Sequence, residues 1–310
     1  MLRGVVNAAI AGLLLVSVSL GAEPVRNGFD LSRALIPEAE IRRGGPPRDG
    51  IPAIYTPKFV KPADVQRLNN KDRVLGTFVD GVAKAFPIEI LDHHEVVNDW
   101  TQSTHMVVTY CPLCGSGMAF RTPDAGQAVF GVSGLLYNSD VLLYDHGSES
   151  LWSQVLGQAV SGAKAGARLE QVPLIHTSYG QWRERHPDTW VLSRDTGYRG
   201  VPYGRSPYRG YEKSSRLWFP VSERDSRYPA KAWVLGVTLD GVHRAYPFVE
   251  LAKTSGEFID EVGGRRLSIH YRDGAAWAED SDGELVPAIR LFWFAWYAFH
   301  PDTEVFVATE

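Results

Sequence analysis

Cysteine is scarce in this chain: there are two, Cys111 and Cys114, among 310 residues. One pair of cysteines cannot form the disulfide framework of a small secreted scaffold. The fold must therefore depend on a hydrophobic core, and a chain of 310 residues with 44% hydrophobic side chains is sufficient to build one.

An excess of one charge sign is also lacking. Lys and Arg number 32 and Asp and Glu number 36, which gives a formal net charge of −4. A mildly acidic surface provides no electrostatic attraction for nucleic acid or for an anionic membrane. We therefore expect no nucleic-acid partner, which leaves a small molecule, a metal ion or another protein as the partner.

Long apolar runs are rare. The first follows Arg3, covers residues 5–20 with few interruptions, and ends in small residues near position 22. This pattern predicts a signal peptide over residues 1–22, with an uncleaved N-terminal anchor as the alternative. The other run, residues 291–299, is too short to cross a bilayer, so no transmembrane span is predicted in the mature chain. Export places the mature protein in the periplasm or outside the cell.

Two catalytic signatures are missing around the candidate residues. Asp145, His146 and Ser148 are close in sequence, but adjacent positions of an extended chain point to opposite faces, and no nucleophile-elbow glycine pattern accompanies them. A serine hydrolase is therefore not favoured. The histidines at 93–94 and 146 also lack the helical His-x-x-x-His spacing that makes a zinc assignment strong.

A repeated motif shows how the chain is organised. Residues 74–87 (VLGTFVDGVAKAFP) return as residues 234–247 (VLGVTLDGVHRAYP), and each copy has an Asp-Gly turn between two β-prone runs. Each copy is predicted to form a β-hairpin. The sequence His-Pro-Asp-Thr also occurs twice, at residues 186–189 and 300–303. The predicted fold class is mostly β with a few short helices (α+β), built on an internally duplicated β-hairpin module.

The duplication divides the chain into segments. We predict an extended N-terminal arm at residues 23–60, a first unit at 61–195, a linker loop at 196–229 and a second, shorter unit at 230–310. The second unit lacks a counterpart to roughly residues 117–171, and it has Arg272 and Ala275 where the first has the two cysteines. We therefore expect the first unit to have the chemical function and the second unit to have a structural role only.

The cysteines lie in the turn sequence Cys111-Pro112-Leu113-Cys114-Gly115. Gly115 and Gly117 argue against a helix starting here, so we predict a strand, a tight turn and a second strand. Three roles remain open for the pair: metal ligands, a redox-active couple, or a plain disulfide. A disulfide that closes so short a loop would contribute less stability than one closing a long loop.

A two-cysteine turn supplies two ligands, whereas a closed zinc site needs four. His94 and His146 are the predicted additional ligands, and a second chain carrying the same turn is the alternative source. His105 is excluded, because it precedes Cys111 by six residues on the same predicted strand, a distance of about 20 Å. Thiolates combined with imidazole would suit zinc or copper.

A polar and aromatic segment lies within the stretch that the second unit lacks. It comprises residues 137–140 (YNSD) and 144–154 (YDHGSESLWSQ). We interpret it as a strand and loop whose polar groups cover the cysteine turn, so the two features are expected to work together.

A function of a different class is also open. The nine Trp, 13 Tyr and 13 Phe residues could line a groove for peptide or glycan. The protein would then be a non-enzymatic binding module, and Cys111 and Cys114 would form a structural disulfide.

Five short segments carry a family resemblance. They are residues 48–52 (RDGIP), 85–87 (AFP), 94–99 (HEVVND), 109–115 (TYCPLCG) and 150–154 (SLWSQ). In this order they resemble the exported bacterial proteins grouped as domain of unknown function 3179, over about residues 44–195. The resemblance implies export and a role for the cysteine turn as the family hallmark. It adds weight to His94 and Glu95 as site residues, and it supplies no substrate.

Overall fold

The computed structural model describes residues 24–122 and 128–309. The predicted signal peptide lies outside these residues. The described residues form 24 β-strands, four α-helices and two 3-10 helices, so the protein is mostly β, as predicted. No helix in the described part of the chain is both long enough and apolar enough to cross a bilayer.

The elements follow the predicted segments along the chain. The arm contains β1 (Val25–Arg26), β2 (Phe29–Asp30), the 3-10 helix Glu38–Glu40, β3 (Arg42–Arg43) and β4 (Phe59–Val60). The first unit contains the 3-10 helix Pro62–Asp64, β5 (Arg73–Val79), β6 (Val82–Pro87), α1 (Ile88–His94), β7 (Val96–Trp100), β8 (His105–Cys111), β9 (Ser116–Arg121), β10 (Phe130–Tyr137), β11 (Asp140–Asp145), β12 (Leu151–Ser153), β13 (Gln158–Ser161), β14 (Gln171–Val172), β15 (Ile175–Ser178), α2 (Tyr179–Arg185) and β16 (Trp190–Leu192). The second unit contains β17 (Trp233–Leu239), β18 (Val242–Pro247), α3 (Phe248–Leu251), β19 (Glu257–Val262), β20 (Arg265–Arg272), β21 (Ala275–Glu279), β22 (Leu285–Val286), β23 (Ala288–Phe292), α4 (Trp293–Phe299) and β24 (Glu304–Val305).

The strands of the described residues form five sheets of four or five strands and one small hairpin, β1-β2. Sheet 1 has the order β13-β12-β11-β10-β3, sheet 2 is β14-β9-β8-β7, sheet 3 is β15-β5-β6-β16-β4, sheet 4 is β23-β17-β18-β24 and sheet 5 is β19-β20-β21-β22. The arrangement resembles a five-bladed β-propeller of small sheets.

Sheets 3 and 4 have the same topology, which agrees with the predicted duplication. In each, the repeated hairpin is flanked by an antiparallel strand on one side, β15 or β23, and by a parallel strand on the other, β16 or β24. The register of the two hairpins also coincides, since Gly76 faces Ala85 and Gly236 faces Ala245. In each sheet a single helix, α2 or α4, connects the two strands that flank the hairpin.

The glycine of each hairpin accommodates a buried indole ring. An added Cβ would lie 2.3 Å from Trp182 at Gly76 and 2.2 Å from Trp296 at Gly236, so only glycine allows this packing. Each indole N–H donates a hydrogen bond of 2.8 Å to the threonine that ends the His-Pro-Asp-Thr sequence of its unit. The repeated His-Pro-Asp-Thr sequence therefore has a structural role in both units.

The two units differ at the turn that holds the cysteines. In sheet 2, Cys111 pairs with Ser116 across the turn, and at the equivalent end of sheet 5, Arg272 pairs with Ala275. The cysteine turn is thus two residues longer, with residues 112–115 where the second unit has only 273–274. Arg272 corresponds to Cys111 as predicted. The alignment of Ala275 with Cys114 is wrong, because Ala275 corresponds to Ser116 and Cys114 is part of the extra length.

Sheet 1 is an addition to the duplicated pattern. Four of its strands lie between residues 130 and 161, inside the stretch that the second unit was expected to lack, and the fifth is β3 of the arm. The arm also contributes β4 to sheet 3, so it is anchored by strand pairing at two places. Residues 193–232, which include the predicted linker, form no helix or strand and run from sheet 3 to sheet 4.

Candidate thiol and carboxylate centre

The cysteine turn is a compact bend between β8 and β9. Cys111 is the last residue of β8, and its carbonyl accepts a 3.2 Å hydrogen bond from the Cys114 N–H. Gly115 follows with φ +65, and an added Cβ there would lie 2.5 Å from the Trp233 ring. Glycine is therefore required for both its backbone conformation and its small size. The Cys114 carbonyl accepts a 2.8 Å hydrogen bond from the Phe292 N–H, which attaches the turn to sheet 4.

A carboxylate from sheet 1 completes a group of three. Asp140 begins β11 directly after a turn in which Asn138 and Ser139 both have positive φ, a turn typical of β-hairpins. The sulfur atoms of Cys111 and Cys114 and a carboxylate oxygen of Asp140 all lie within 4.8 Å of one another. All three residues are buried, and both thiols are free.

Burial governs the electrostatics of this group. It raises the pKa of the Asp140 carboxyl to about 7, although hydrogen bonds from the Val155 N–H and from the cysteine thiols act in the opposite direction. Burial also raises the pKa of Cys111 and, more strongly, the pKa of Cys114. The charge of Asp140 adds to both increases. Without a cation, the group therefore favours protonated thiols.

Polar side chains from the first unit support the group from behind. The Ser116 hydroxyl lies 3.5 Å from Asp140 Oδ1 and donates to Gln154 Oε1 at 2.6 Å. Gln154 Nε2 donates in turn to Thr109 Oγ1 at 2.8 Å. Both Thr109 and Gln154 come from segments that carried the family resemblance. These segments therefore meet at the cysteine turn and orient its neighbours.

A second buried carboxylate lies close to Cys111. Glu95 caps α1 with φ +56, and its carbonyl accepts a 2.8 Å hydrogen bond from the Tyr110 N–H, one residue before Cys111. Burial raises the pKa of Glu95 to about 7, and a hydrogen bond from the Tyr208 hydroxyl lowers it. The charge of Glu95 contributes to the raised pKa of Cys111, which shows that the two groups interact.

The connecting segment, residues 193–232, covers this centre. Tyr211 packs in the same buried cluster as both cysteines, and the cysteine charges contribute to its raised pKa. Lys231 holds the segment in place, since its ammonium group donates to the carbonyl oxygens of Tyr211, Ser214 and Arg216 at 2.6–2.9 Å. Sequence reasoning treated this segment as a linker only, and its Tyr-rich composition was the available signal for a role at the site.

The structure does not bring either predicted histidine ligand to the cysteines. His94 is buried, but Nδ1 bonds the Pro52 carbonyl at 2.7 Å and Nε2 bonds the Tyr203 hydroxyl at 2.6 Å, so neither nitrogen is available for a metal. His146 is exposed, and its ring is stacked on Tyr144 at 5.0 Å between centroids. Asp140 takes the place that these histidines were expected to fill. It belongs to the 137–140 segment that was predicted to cover the turn.

A cleft of about 440 Å³ opens beside the cysteine turn. Tyr110 and Pro112 line it from the turn side, and Tyr208 and Tyr211 line it from the connecting segment. We call it the tyrosine cleft. Cys111, Cys114 and Asp140 themselves are not among its lining residues.

Comparison with known proteins identifies the family and no activity. The family model described as a protein of unknown function (DUF3179) matches residues 48–286. The chain belongs to this family. The match extends beyond residues 44–195, over which the sequence resemblance runs, and covers most of the second unit. Neither the curated proteins nor the solved structures contain a match to the DUF3179 chain.

Proposed function

We propose that this DUF3179 protein is an exported metal-binding protein that holds a zinc ion at Cys111, Cys114 and Asp140. The observation that carries the proposal is the approach of three potential ligand atoms to within 4.8 Å of one another in a buried site. In a tetrahedral site with Zn–S bonds of about 2.3 Å, two sulfur ligands are separated by about 3.8 Å. Small side-chain movements would bring the three atoms to that spacing.

The mixture of ligands favours zinc over copper(I). Thiolates suit both ions, but a carboxylate oxygen is a hard ligand that zinc accepts readily and copper(I) does not. Three protein ligands also leave a fourth position, which is the arrangement found in catalytic zinc sites. We expect a water molecule or a substrate to approach from the tyrosine cleft, because Pro112 of the cysteine turn lines it.

Export is part of the same proposal. The apolar run after Arg3 and the small residues near position 22 support it. In an oxidising compartment a free pair of neighbouring thiols tends to form a disulfide unless it is protected. A bound zinc ion would protect the pair by holding both sulfurs as ligands.

The test is the metal content and thiol state of the full chain, purified without chelator. We expect one zinc per chain and two thiols that become reactive after zinc is chelated. Asp140→Asn should weaken zinc binding at least about tenfold, because it removes a charged ligand. Asp145→Asn is the matched control, since Asp145 is an equally buried carboxylate of the same strand whose partners are Ser148 and Trp152.

Further variants separate this ligand set from the sequence-based one. Cys111→Ser combined with Cys114→Ser should abolish zinc binding with the fold preserved, whereas His94→Gln and His146→Gln should leave the zinc stoichiometry unchanged. Absence of zinc from the wild-type chain, together with no uptake of added zinc, would exclude the proposal. Unchanged function in the double cysteine variant would favour the non-enzymatic binding module.

A thiol-redox role is the second candidate, and the contact of both thiols with Asp140 supports it. In that reaction Cys111 and Cys114 would form a disulfide, two electrons would pass to a disulfide substrate, and the substrate would leave as two thiols. Asp140 would accept a thiol proton. Rapid oxidation of the metal-free chain by a small disulfide, slowed by Asp140→Asn, would support this role. A metal-free pair that remains reduced would rule it out.

A further inference from the structure

Behind Arg73, Tyr110 and Phe292, which line the tyrosine cleft, equivalent strands of the two units bring basic side chains together. We call this layer, which includes the buried His176 and Arg290, the floor of the cleft. In sheet 3, His176 faces Leu75, and in sheet 4, Arg290 faces Leu235. The two leucines are the same position of the repeated motif, so His176 and Arg290 occupy equivalent sites. Arg73 likewise corresponds to Trp233. Residues two positions apart on a strand point to the same face of the sheet. Arg73 and His176 therefore lie on one face of sheet 3, and Trp233 and Arg290 lie on the corresponding face of sheet 4.

Three nitrogen-bearing side chains converge on one indole ring. The guanidinium carbon of Arg290 lies 4.2 Å from the Trp233 ring centroid, and that of Arg73 lies 5.7 Å from it. The His176 ring centroid lies 6.0 Å from the same ring and 6.1 Å from Tyr110. Arg73 and Tyr110 line the tyrosine cleft. Phe292, which shares a strand face with Arg290, lines it as well.

The polar atoms at this floor are incompletely satisfied. His176 is 2% exposed, and neither of its ring nitrogens has a hydrogen-bond partner among the described residues. Arg290 Nε is also buried without a partner, although Nη1 of the same guanidinium donates to the Gly274 carbonyl at 2.9 Å and to the His176 carbonyl at 3.5 Å. Buried groups of this kind are costly unless something pairs with them. A buried guanidinium beside a second one calls for a negatively charged partner.

We propose that a small oxyanion, a carboxylate or a phosphate group, binds at the bottom of the tyrosine cleft on Arg73, with the buried Arg290 adding positive charge behind it and His176 as a neutral N–H donor. Guanidinium groups present paired N–H donors that match either oxyanion. This site goes beyond the proposed zinc centre and does not depend on it. Its position next to the cysteine turn would let an anionic molecule extend from the floor towards that centre.

Two carboxyl groups also line the cleft, and a negative charge on either of them would repel a bound anion. Glu212 pairs with Arg73 at 3.4 Å, but its side chain is 47% exposed, and exposed pairs of this kind are weak and easily exchanged. Burial raises the pKa of the other acid, Asp92, because it disfavours the charged carboxylate. Burial and the charges of Arg290 and Arg73 lower the pKa of His176 well below its usual value, which is consistent with a neutral donor.

The experiment titrates inorganic phosphate and acetate, separately, into the full chain carrying Cys111→Ser and Cys114→Ser, with calorimetry and tryptophan fluorescence as readouts. The double variant prevents anions from binding to a metal at the cysteines. We expect one saturable anion site per chain, and the tighter of the two probes identifies the source of the oxyanion. Arg73→Gln and His176→Gln should each weaken binding about tenfold, because the first removes a charged hydrogen-bond donor and the second removes the ring N–H donor.

Two further variants make the outcome decisive. Glu212→Gln should strengthen anion binding, because it removes the competing carboxylate, and an unfolded variant could not produce this result. Arg265→Gln, an equal change of charge at an exposed position of sheet 5, should leave binding unchanged. The proposal is overturned if neither anion binds saturably, or if Arg73→Gln and His176→Gln change the affinity no more than Arg265→Gln does.

Discussion

The Tyr208 hydroxyl donates a 2.8 Å hydrogen bond to Glu95 Oε1. The two residues are separated by 113 positions in sequence, and the contact joins the connecting segment to the residue that caps α1. The Glu95 carbonyl also accepts a hydrogen bond from the Tyr110 N–H, next to Cys111. The contact with Tyr208 therefore attaches the connecting segment to the backbone of the thiol centre. The connecting segment is therefore part of the site.

Tyr208→Phe should destabilise the protein in a pH-dependent way. The lost donor lowers the pKa of Glu95, whose value of about 7 is set mainly by burial, so the variant should have a still higher value. Above that pH the Glu95 charge is buried without its donor, and we expect a loss of about 1–3 kcal/mol in the free energy of unfolding. At pH 5, where Glu95 is protonated, the loss should be smaller. Urea unfolding at pH 5 and at a pH above the pKa of Glu95 in the variant measures the difference in the free energy of unfolding.

Tyr198→Phe is the matched control. The Tyr198 hydroxyl donates at the same distance, 2.8 Å, to the uncharged Ala53 carbonyl. Its removal should therefore cost the same at both pH values. An equal pH dependence in the two variants would contradict the role assigned to the Glu95 charge.

Gly115→Ala should destabilise the cysteine turn more than Gly274→Ala destabilises the equivalent turn of the second unit. Both glycines have positive φ, which costs an alanine about 1 kcal/mol. Only Gly115 would also place a Cβ against Trp233, whereas nothing lies within 4 Å at Gly274. The overpacking should add about 1–3 kcal/mol at Gly115. Thermal unfolding of both variants provides the comparison, and equal losses would show that the Trp233 contact does not matter.

Gly76→Ala and Gly236→Ala should have similar effects, because they occupy equivalent positions against Trp182 and Trp296. Neither glycine has positive φ, so the expected loss of about 1–3 kcal/mol or more comes from packing alone. Gly147→Ala is the control, since its nearest neighbour would be 3.6 Å away, an ordinary contact. A large loss at only one of the two repeat positions would argue that the units do not share this packing.

Stability should fall as the pH falls below about 6.5, in part because of His300. Burial and, to a lesser extent, the charge of His243 lower the pKa of His300 to about 3, and the charge of Asp302 partly opposes them. Between about 6.5 and 3 the unfolded chain binds a proton that the folded chain does not, so unfolding becomes easier by up to about 1.4 kcal/mol per pH unit. His300→Phe keeps a ring against Trp296 and should reduce this slope. The same slope in variant and wild type would remove His300 as a cause.

Local patterns predicted much of the fold. The Asp-Gly turns between β-prone runs gave two hairpins, and both exist with matching register. The wrong alignment of Ala275 with Cys114 arose at a turn, where units of a repeat can differ in length without disturbing the strands. The parallel pairing of β16 in sheet 3 and of β24 in sheet 4 could not be predicted, because each strand pairs with one that lies 106 or 60 residues earlier in the chain.

In the candidate site, too, local sequence predicted some features, and contacts between distant segments decided the others. Cys111 and Cys114 are neighbours in sequence, so any compact turn brings their sulfurs together. The histidines were chosen because their chemistry suits a metal, yet His94 uses both ring nitrogens in hydrogen bonds to the arm and to the connecting segment. Nothing in the local sequence around His94 reports such distant partners.

The sequence by itself determined the duplicated β-hairpins, the tight cysteine turn and the absence of any strong charge bias, because each depends on residues that are adjacent or on composition. Only the tertiary structure decided that Asp140 and not His94 lies beside the thiols, that Glu95 and Tyr208 meet, and that Arg73, His176 and Arg290 surround Trp233. Each group combines residues from segments that are far apart in the sequence. Their proximity follows from how the sheets pack, which is a property of the whole chain's buried surface and not of any one segment.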